Sequence, residues 1–381
     1  MSGDAEQEYF VDGMVEDIIT GLSRIKWLFV IARNSSFTYK GNAVDIRQVG
    51  RELGVRYVLE GGVRKAGNRL RITAQLIEAE TGAHLWADRF DGALDDVFEL
   101  QDQITDKVIG IVEPNLQRSE IERAPQKHPD SLGAYDLYLR ALPHMATRAP
   151  ADARIAAGFL EDALKLEPDY GAAHAVLAWC RQICFLRGGF NEEDKTAAQR
   201  HARAVIDSGC EDAGALATAA VIVAHTARDF ATALSTIDRA LSLNASSSMA
   251  HFIGAHIHAI VGQSVEATSP AACGLRLSPF DSQAFEAHGA FGLAAIQEGR
   301  FDEAASHFRA GLQLNSRFSL FQFFLAASLA LAGRVGEAKP VVGKLLELTP
   351  GFHFRMAREL GFVPAILDKI AEGARLLGIP D

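Results

Sequence analysis

Six times after residue 150 of this 381-residue chain, apolar or small residues fall four and then three positions apart, and the spacing recurs at a nearly constant period. The clearest copy is 299–315, GRFDEAASHFRAGLQLN, where Ala304, Phe308 and Gly311 share one helix face while Glu303, Ser306 and Arg309 face away. The other copies are Ala156/Leu160/Ala163, Ala197/His201/Ala204, Ala233/Ile237/Ala240, Ala267/Ala271/Gly274 and Ala338/Val342/Leu345. Steps between first members are 41, 36, 34, 37 and 34 residues, and Pro168, Pro279 and Pro350 close three of the copies. Few folds accommodate such a pattern. Two short helices form a hairpin, a small residue at the crossing lets the backbones approach, and each hairpin buries its remaining apolar face on the next.

These residues resemble tetratricopeptide repeats over 136–350, which implies five to six stacked hairpins and a concave surface suited to holding another protein. The net charge of −10 and a pI near 5.7 exclude a general binder of nucleic acid or anionic membrane, since both need a basic field. Cys180, Cys184, Cys210 and Cys273 lack the paired spacing of a disulfide framework. Cys180 and Cys184, one helical turn apart, read as buried small side chains and not as metal ligands. No uncharged apolar run reaches the roughly 18 residues of a membrane span, and the start MSGDAEQEYF has no apolar signal core. Both point to a soluble cytoplasmic chain.

The first 124 residues have a different grammar. A helix is expected over 8–24, then the apolar run WLFVI, Trp27–Ile31, reads as a strand buried on both faces, and a short helix over 44–53 ends at Gly54. In 69–77, Leu70, Ile72, Ala74 and Leu76 alternate with Arg69, Arg71, Thr73 and Gln75, as in an antiparallel strand solvated on one face. With 57–64 before it and 83–90 after it, this makes a three-stranded meander. Asp95 and Asp96 then open a long helix to about Arg123, and APQKHP breaks it, which places a linker at 125–135 before repeats at 136–350 and capping helices at 351–381.

The segments SGDAEQEYFVDGMVEDIITGLSRIKWLFVIARNSSFTYKG, VGRELGVRYVLEGGVRK, RLRITAQLIEAETGAHLWADRFD and VFELQDQIT resemble the TolB-like module that precedes tetratricopeptide repeats in bacterial regulatory proteins. The nearest likeness is to the carboxyl-terminal half of proteins with a class III adenylate/guanylate cyclase domain at the amino end. In that family a strand precedes the SGD segment, and this chain begins at Met1 inside it. The resemblance therefore implies an α+β amino-terminal domain over 1–124, with a mixed sheet whose first strand is missing, followed by an all-α tetratricopeptide-repeat superhelix. It also implies that catalysis belongs to a domain upstream of Met1.

No catalytic constellation is legible in the residues themselves. Asp95 and Asp96 suit a helix cap better than a magnesium site. Gly61 and Gly62 read as a bulge within a strand, and no phosphate-cradling loop follows them. The hydroxyls, Arg33 and Lys40 of ARNSSFTYKG suggest a structural loop before an anion site. His251, His256 and His258 crowd one helix but lack the further ligands a zinc site needs, and His251 and His258 read as packed core histidines. Arg56, Arg64, Arg69, Arg71 and Arg89 form a basic stripe on the meander in a domain that is otherwise acidic. No enzyme activity, cofactor or metal is therefore expected.

What remains is recognition. In the repeat register the concave wall is lined by Met249, Phe252, His256, Ile260, Leu293, Ile296, Leu320, Phe323 and Leu331, an apolar groove for an amphipathic or apolar segment of a protein partner, or for the chain's own amino-terminal domain. Oligomerisation through an open sheet edge is a further expectation. The alternatives are the regulatory part of a longer cyclase and a small-ligand sensor in the α/β domain.

Overall fold

The computed structural model describes residues 5–41, 44–66, 69–93, 97–124, 133–145, 147–278, 281 and 283–380. Its contacts divide the chain into two units, Met1–Ser119 and Glu120–Asp381.

The first unit contains α1 (Ala5–Ser23), α2 (Arg33–Ser36), a 3-10 turn at Phe37–Tyr39, and α3 (Ile46–Leu53), followed by β1 (Tyr57–Ala66), β2 (Arg69–Glu78) and β3 (His84–Ala93), and then α4 (Val97–Arg123). Asp45 caps α3 through its side chain, and Gly54 ends it at φ 66°. The sheet is an antiparallel meander in the order β1-β2-β3. Strict alternation along β2 sends Leu70, Ile72 and Leu76 to one face, where they pack with Phe90, with Met14 and Leu22 of α1, and with Ile104, Val108, Ile109, Val112 and Leu116 of α4.

Two expectations about this sheet need correction. The run Trp27–Ile31 joins no ladder among the described residues, so the sheet is wholly antiparallel and not mixed. Trp27, Leu28 and Val30 pack on the core while Phe29 is 82% exposed, so the run stabilises the unit through side-chain burial alone. Nor do Gly61 and Gly62 form a bulge. Their pairing with Ala74 and Thr73 is regular, and the irregularity lies at Leu76/Ile77. Gly61 serves close approach instead, since a Cβ there would stand 2.5 Å from the Thr73 carbonyl oxygen. The expected cap at Asp95 and Asp96 lies outside the described residues.

The second unit is a series of antiparallel helical hairpins. They are α5 (Ala134–Met145) with α6 (Pro150–Leu166), α7 (Gly171–Arg187) with α8 (Glu192–Asp207), α9 (Ala213–Ala227) with α10 (Phe230–Leu243), α11 (Ser248–Ile260) with α12 (Ser264–Leu277), α13 (Phe285–Gln297) with α14 (Phe301–Leu314), and α15 (Ser319–Leu331) with α16 (Val335–Leu348). The seam residues of α6, α10, α12 and α14 are buried as the spacing requires. Phe308 shows why small residues are needed there, because a Cβ on Gly292 of the facing helix would lie 2.6 Å from its ring. In α8 the register is displaced by one. Ala198, Ala202 and Val205 are buried in place of Ala197, His201 and Ala204, because alanines at both 197 and 198 make the frame ambiguous.

After the last hairpin come α17 (Arg355–Arg358) and α18 (Pro364–Leu376). An end cap was expected here, but this segment turns back onto the first helices of the hairpins. α18 packs on α13 and α15, burying Ile366, Ile370 and Ala374. Val363 N–H donates to the Ile260 carbonyl at 3.0 Å, and Lys369 Nζ donates to the Ile296 carbonyl at 3.2 Å.

A candidate binding pocket in the groove

The first helices of the hairpins form the concave wall, and the carboxyl-terminal segment covers one end of it. The Phe323 ring packs at a tilt against Phe352 and Phe354 at 5.0 and 6.2 Å, and Phe324 meets Phe362 edge-on at 5.7 Å. Arg355 lies 4.2 Å over the Phe190 ring, which ties the segment to the turn after α7. The other end of the groove stays open as a cavity of about 90 Å³.

Five of the nine residues expected along the groove line this cavity: Met249, Phe252, His256, Leu293 and Leu320. Four do not. Ile260 and Ile296 are fully buried where the carboxyl-terminal segment bonds their carbonyls, and Phe323 is buried under Phe352. Leu331, half-buried at the end of α15, lies outside the lining.

The wall was expected to be apolar throughout, and here it is not. Arg148, in the turn between α5 and α6, reaches across the groove to the start of α13, where its Nη2 donates to Oε1 of Gln283, just before the helix, at 3.3 Å and lies 3.5 Å from Oε1 of Glu286, in its first turn. Its guanidinium lies 4.3 Å from the Trp179 ring centre and 5.1 Å from that of Phe318. The Arg148 and Glu286 side chains are only 14% and 17% exposed. Burial pulls the Arg148 pKa below its ordinary value against the attraction of Glu286, and burial raises Glu286 against the pull of Arg148. Arg187 ends α7 beside them. Its Nη1 donates to the Arg148 carbonyl at 3.1 Å, and burial, with the charge of Arg148, lowers its pKa to about 10.

A relay of neutral groups lies on the wall between them. Gln182 Nε2 donates to His225 Nδ1 at 2.7 Å, which leaves the proton of His225 on Nε2, directed at His256 Nε2 3.0 Å away. His256 therefore carries its own proton on Nδ1. Burial holds both rings neutral, with a pKa lowered to about 4 for His256, where the charge of Arg148 adds to it, and well below the ordinary histidine value for His225, where His256 and then Arg148 add to it.

Sequence reasoning missed Arg148, Arg187, Glu286 and His225. Spacing cannot show that Arg148 meets Glu286, 138 residues later. A usable signal was the recurrence of polar Gln182, His225, His256 and Glu286 on helices otherwise apolar on that side.

The other candidates are structural. Arg33 lies near Asp12 and Glu16 at 3.8 and 3.7 Å and stacks on Phe37, and Lys40 pairs with Asp12, so the cations of ARNSSFTYKG are engaged within the fold. On the sheet's open face, Asp91 accepts from Arg71 at 2.7 Å and lies 3.4 Å from Arg89, which breaks up the basic stripe. His251 bonds the Ala245 carbonyl, whereas His258 is half-buried and bonds Gln263 at 2.7 Å, a partner at the surface and not in the core. Cys180 and Cys184 are buried and free, and burial, aided by Cys184, pushes the Cys180 thiol up to about 12. No helix among the described residues is long and apolar enough to cross a membrane.

No family model matches the sequence. Over 217 residues the chain is 45% identical to a protein of Rhizobium meliloti (strain 1021) named "Putative adenylate cyclase 3". The match takes in 56% of this chain and 37% of that relative, so the chain spans little more than a third of the relative's length. Among solved structures, TTC0263, a thermophilic TPR protein of Thermus thermophilus, is 18% identical with a TM-score of 0.39, over 54% of this chain and 98% of that one. YrrB, described as a TPR protein with an unusual peptide-binding site, is 15% identical with a TM-score of 0.31, over 52% and 96%. A human IFIT1 dimer with m7Gppp-AAAA is 14% identical with a TM-score of 0.48, over 65% and 59%.

Proposed function

We propose that this chain is a non-catalytic regulatory module of bacterial cyclic-nucleotide signalling that engages a protein partner through the open end of its repeat groove. The observation that supports this reading most is the partly buried apolar rim of Met249, Leu320 and Trp179 beside a groove otherwise filled by residues 352–376. A partly exposed apolar rim beside a buried polar floor can give a peptide both an anchor and an orientation. The test is selection of displayed peptides against the purified chain, with the double variant M249E/L320E as comparator. Peptides that bind the wild type and lose at least tenfold on the variant are expected. Peptides held equally by both, or formation of cyclic AMP from ATP by the purified chain, would overturn the proposal.

A second reading rests on the 45% identity to part of a protein named for cyclase activity: the chain acts as the regulatory portion of an adenylate cyclase. Reading the DNA upstream of Met1 tests it. An in-frame strand and catalytic domain would support a single polypeptide, whereas a stop codon directly upstream would count against it.

A further inference from the structure

The groove's open end holds two guanidinium groups and one carboxylate. Glu286 is the acidic side chain lining the cavity among the described residues, and it is committed to Arg148. Arg187 has no carboxylate partner among the described residues, only the Arg148 carbonyl. The histidine pair is neutral, so the pocket carries an excess of one positive charge, partly shielded from water. A buried charge without a counter-charge is unfavourable, and a bound anion offsets that cost.

The rest of the lining sets the body of the anion. Met249, Leu293, Leu320 and Trp179 present apolar surface around the charged end. A volume of about 90 Å³ is well below the ~300–1,000 Å³ of pockets that take drug-sized ligands. It also rules out a helix about 10 Å across.

We propose that the cavity bounded by Arg148, Arg187, Met249, Leu293 and Leu320 is a binding site for a small free monocarboxylic acid of about four to six carbons. The carboxylate is held by Arg187 and the Arg148 edge, and the alkyl chain lies along the apolar wall. Planar guanidinium donors match a carboxylate in geometry as well as charge. This site does not depend on the partner reading above and goes beyond it, because it assigns a small ligand to the repeat groove.

The test is titration calorimetry on the full chain at pH 8 with acetate, butyrate and hexanoate, and with butyramide and hexanamide as neutral counterparts. Affinity should rise from acetate to hexanoate, and each of the two longer acids should bind at least tenfold more tightly than its amide. In R187Q, with the wild-type melting temperature as evidence of folding, the difference between acid and amide should disappear. In E286Q, where the resident counter-charge is removed, acid binding should strengthen several-fold. Equal binding of acids and amides, no binding of either, or undiminished acid binding by R187Q would overturn the site. A hexapeptide ending in a free leucine carboxylate that bound more tightly than hexanoate, with its amidated form inactive, would overturn the assignment to a free acid and give the subsite to a chain terminus.

Discussion

The two ends of the repeat groove are built from the same helices and have opposite fates. At one end Ile260, Ile296 and Phe323 are covered by the carboxyl-terminal segment, and Ile366 and Ile370 of α18 are buried against α13 and α15. At the other, Arg148, Arg187, Glu286 and the His225–His256 pair line a space that the chain leaves unfilled. The difference lies in what closure would cost. An apolar wall gains roughly 25 cal/mol per Å² when a segment lies on it, whereas sealing an uncompensated guanidinium from water costs several kcal/mol. The chain closes the end where burial is favourable and keeps open the end where charge opposes it.

The largest effect is expected where the groove is closed. In I366A/I370A each truncation leaves a cavity beneath α18, and together they should lower stability by roughly 4–10 kcal/mol, summing the usual cost of a buried isoleucine-to-alanine change. Urea unfolding of the whole chain followed by circular dichroism measures it. A loss below ~1 kcal/mol would mean that α18 rests on the groove without holding it.

At the open end, R148M removes the cation that spans from the α5–α6 turn to α13 while retaining most of its apolar stem. Glu286 would then be buried without a counter-charge, for a loss of about 3–5 kcal/mol. The double variant R148M/E286Q should recover most of that, since a neutral pair leaves no isolated charge. Equal losses in the single and double variants would show that Arg148 acts by stacking on Trp179 and Phe318 alone.

The contrast between the two ends also marks what could be read from sequence. Seams such as Ala304/Phe308/Gly311 are local, so periodicity reveals them, and the meander likewise follows from alternation along 69–77. The displaced register of α8 shows the limit of spacing, because adjacent alanines fit two frames and only packing on α7 and α9 selects between them. Trp27–Ile31 misleads because an apolar run reports burial and says nothing of hydrogen-bonding partners. Five of the expected groove residues do line the cavity. The ion pair that gives it chemical character joins Arg148 to Glu286, 138 residues later, and the path of residues 352–376 depends on a surface assembled from many hairpins.

The smallest effect is one of pH. His225 and His256 are held neutral in the fold, His256 with a pKa lowered to about 4, against about 6.5 in an unfolded chain. Below about 6.5 the unfolded state takes up protons that the folded state refuses, so the stability these rings contribute is present above that pH and is lost as pH falls toward about 4. Each such ring should cost ~1 kcal/mol between about pH 7 and 5.5. The charge facing the pair is Arg148, which reinforces the penalty. His251 works in the opposite sense: burial is the largest single effect there and lowers its pKa, but the hydrogen bond and charge of Cys273 together with the Ala245 carbonyl outweigh it, so the pKa is raised and its contribution fades as pH rises. The measurement is the slope of unfolding free energy against pH for the wild type and H256Q. The variant should be flatter by about one histidine's share, provided the substituted glutamine keeps a partner for His225 Nε2–H. A slope equal to that of the wild type would show that the His225–His256 pair does not titrate as a buried unit, and that the polar character of the open end rests on its guanidinium groups alone.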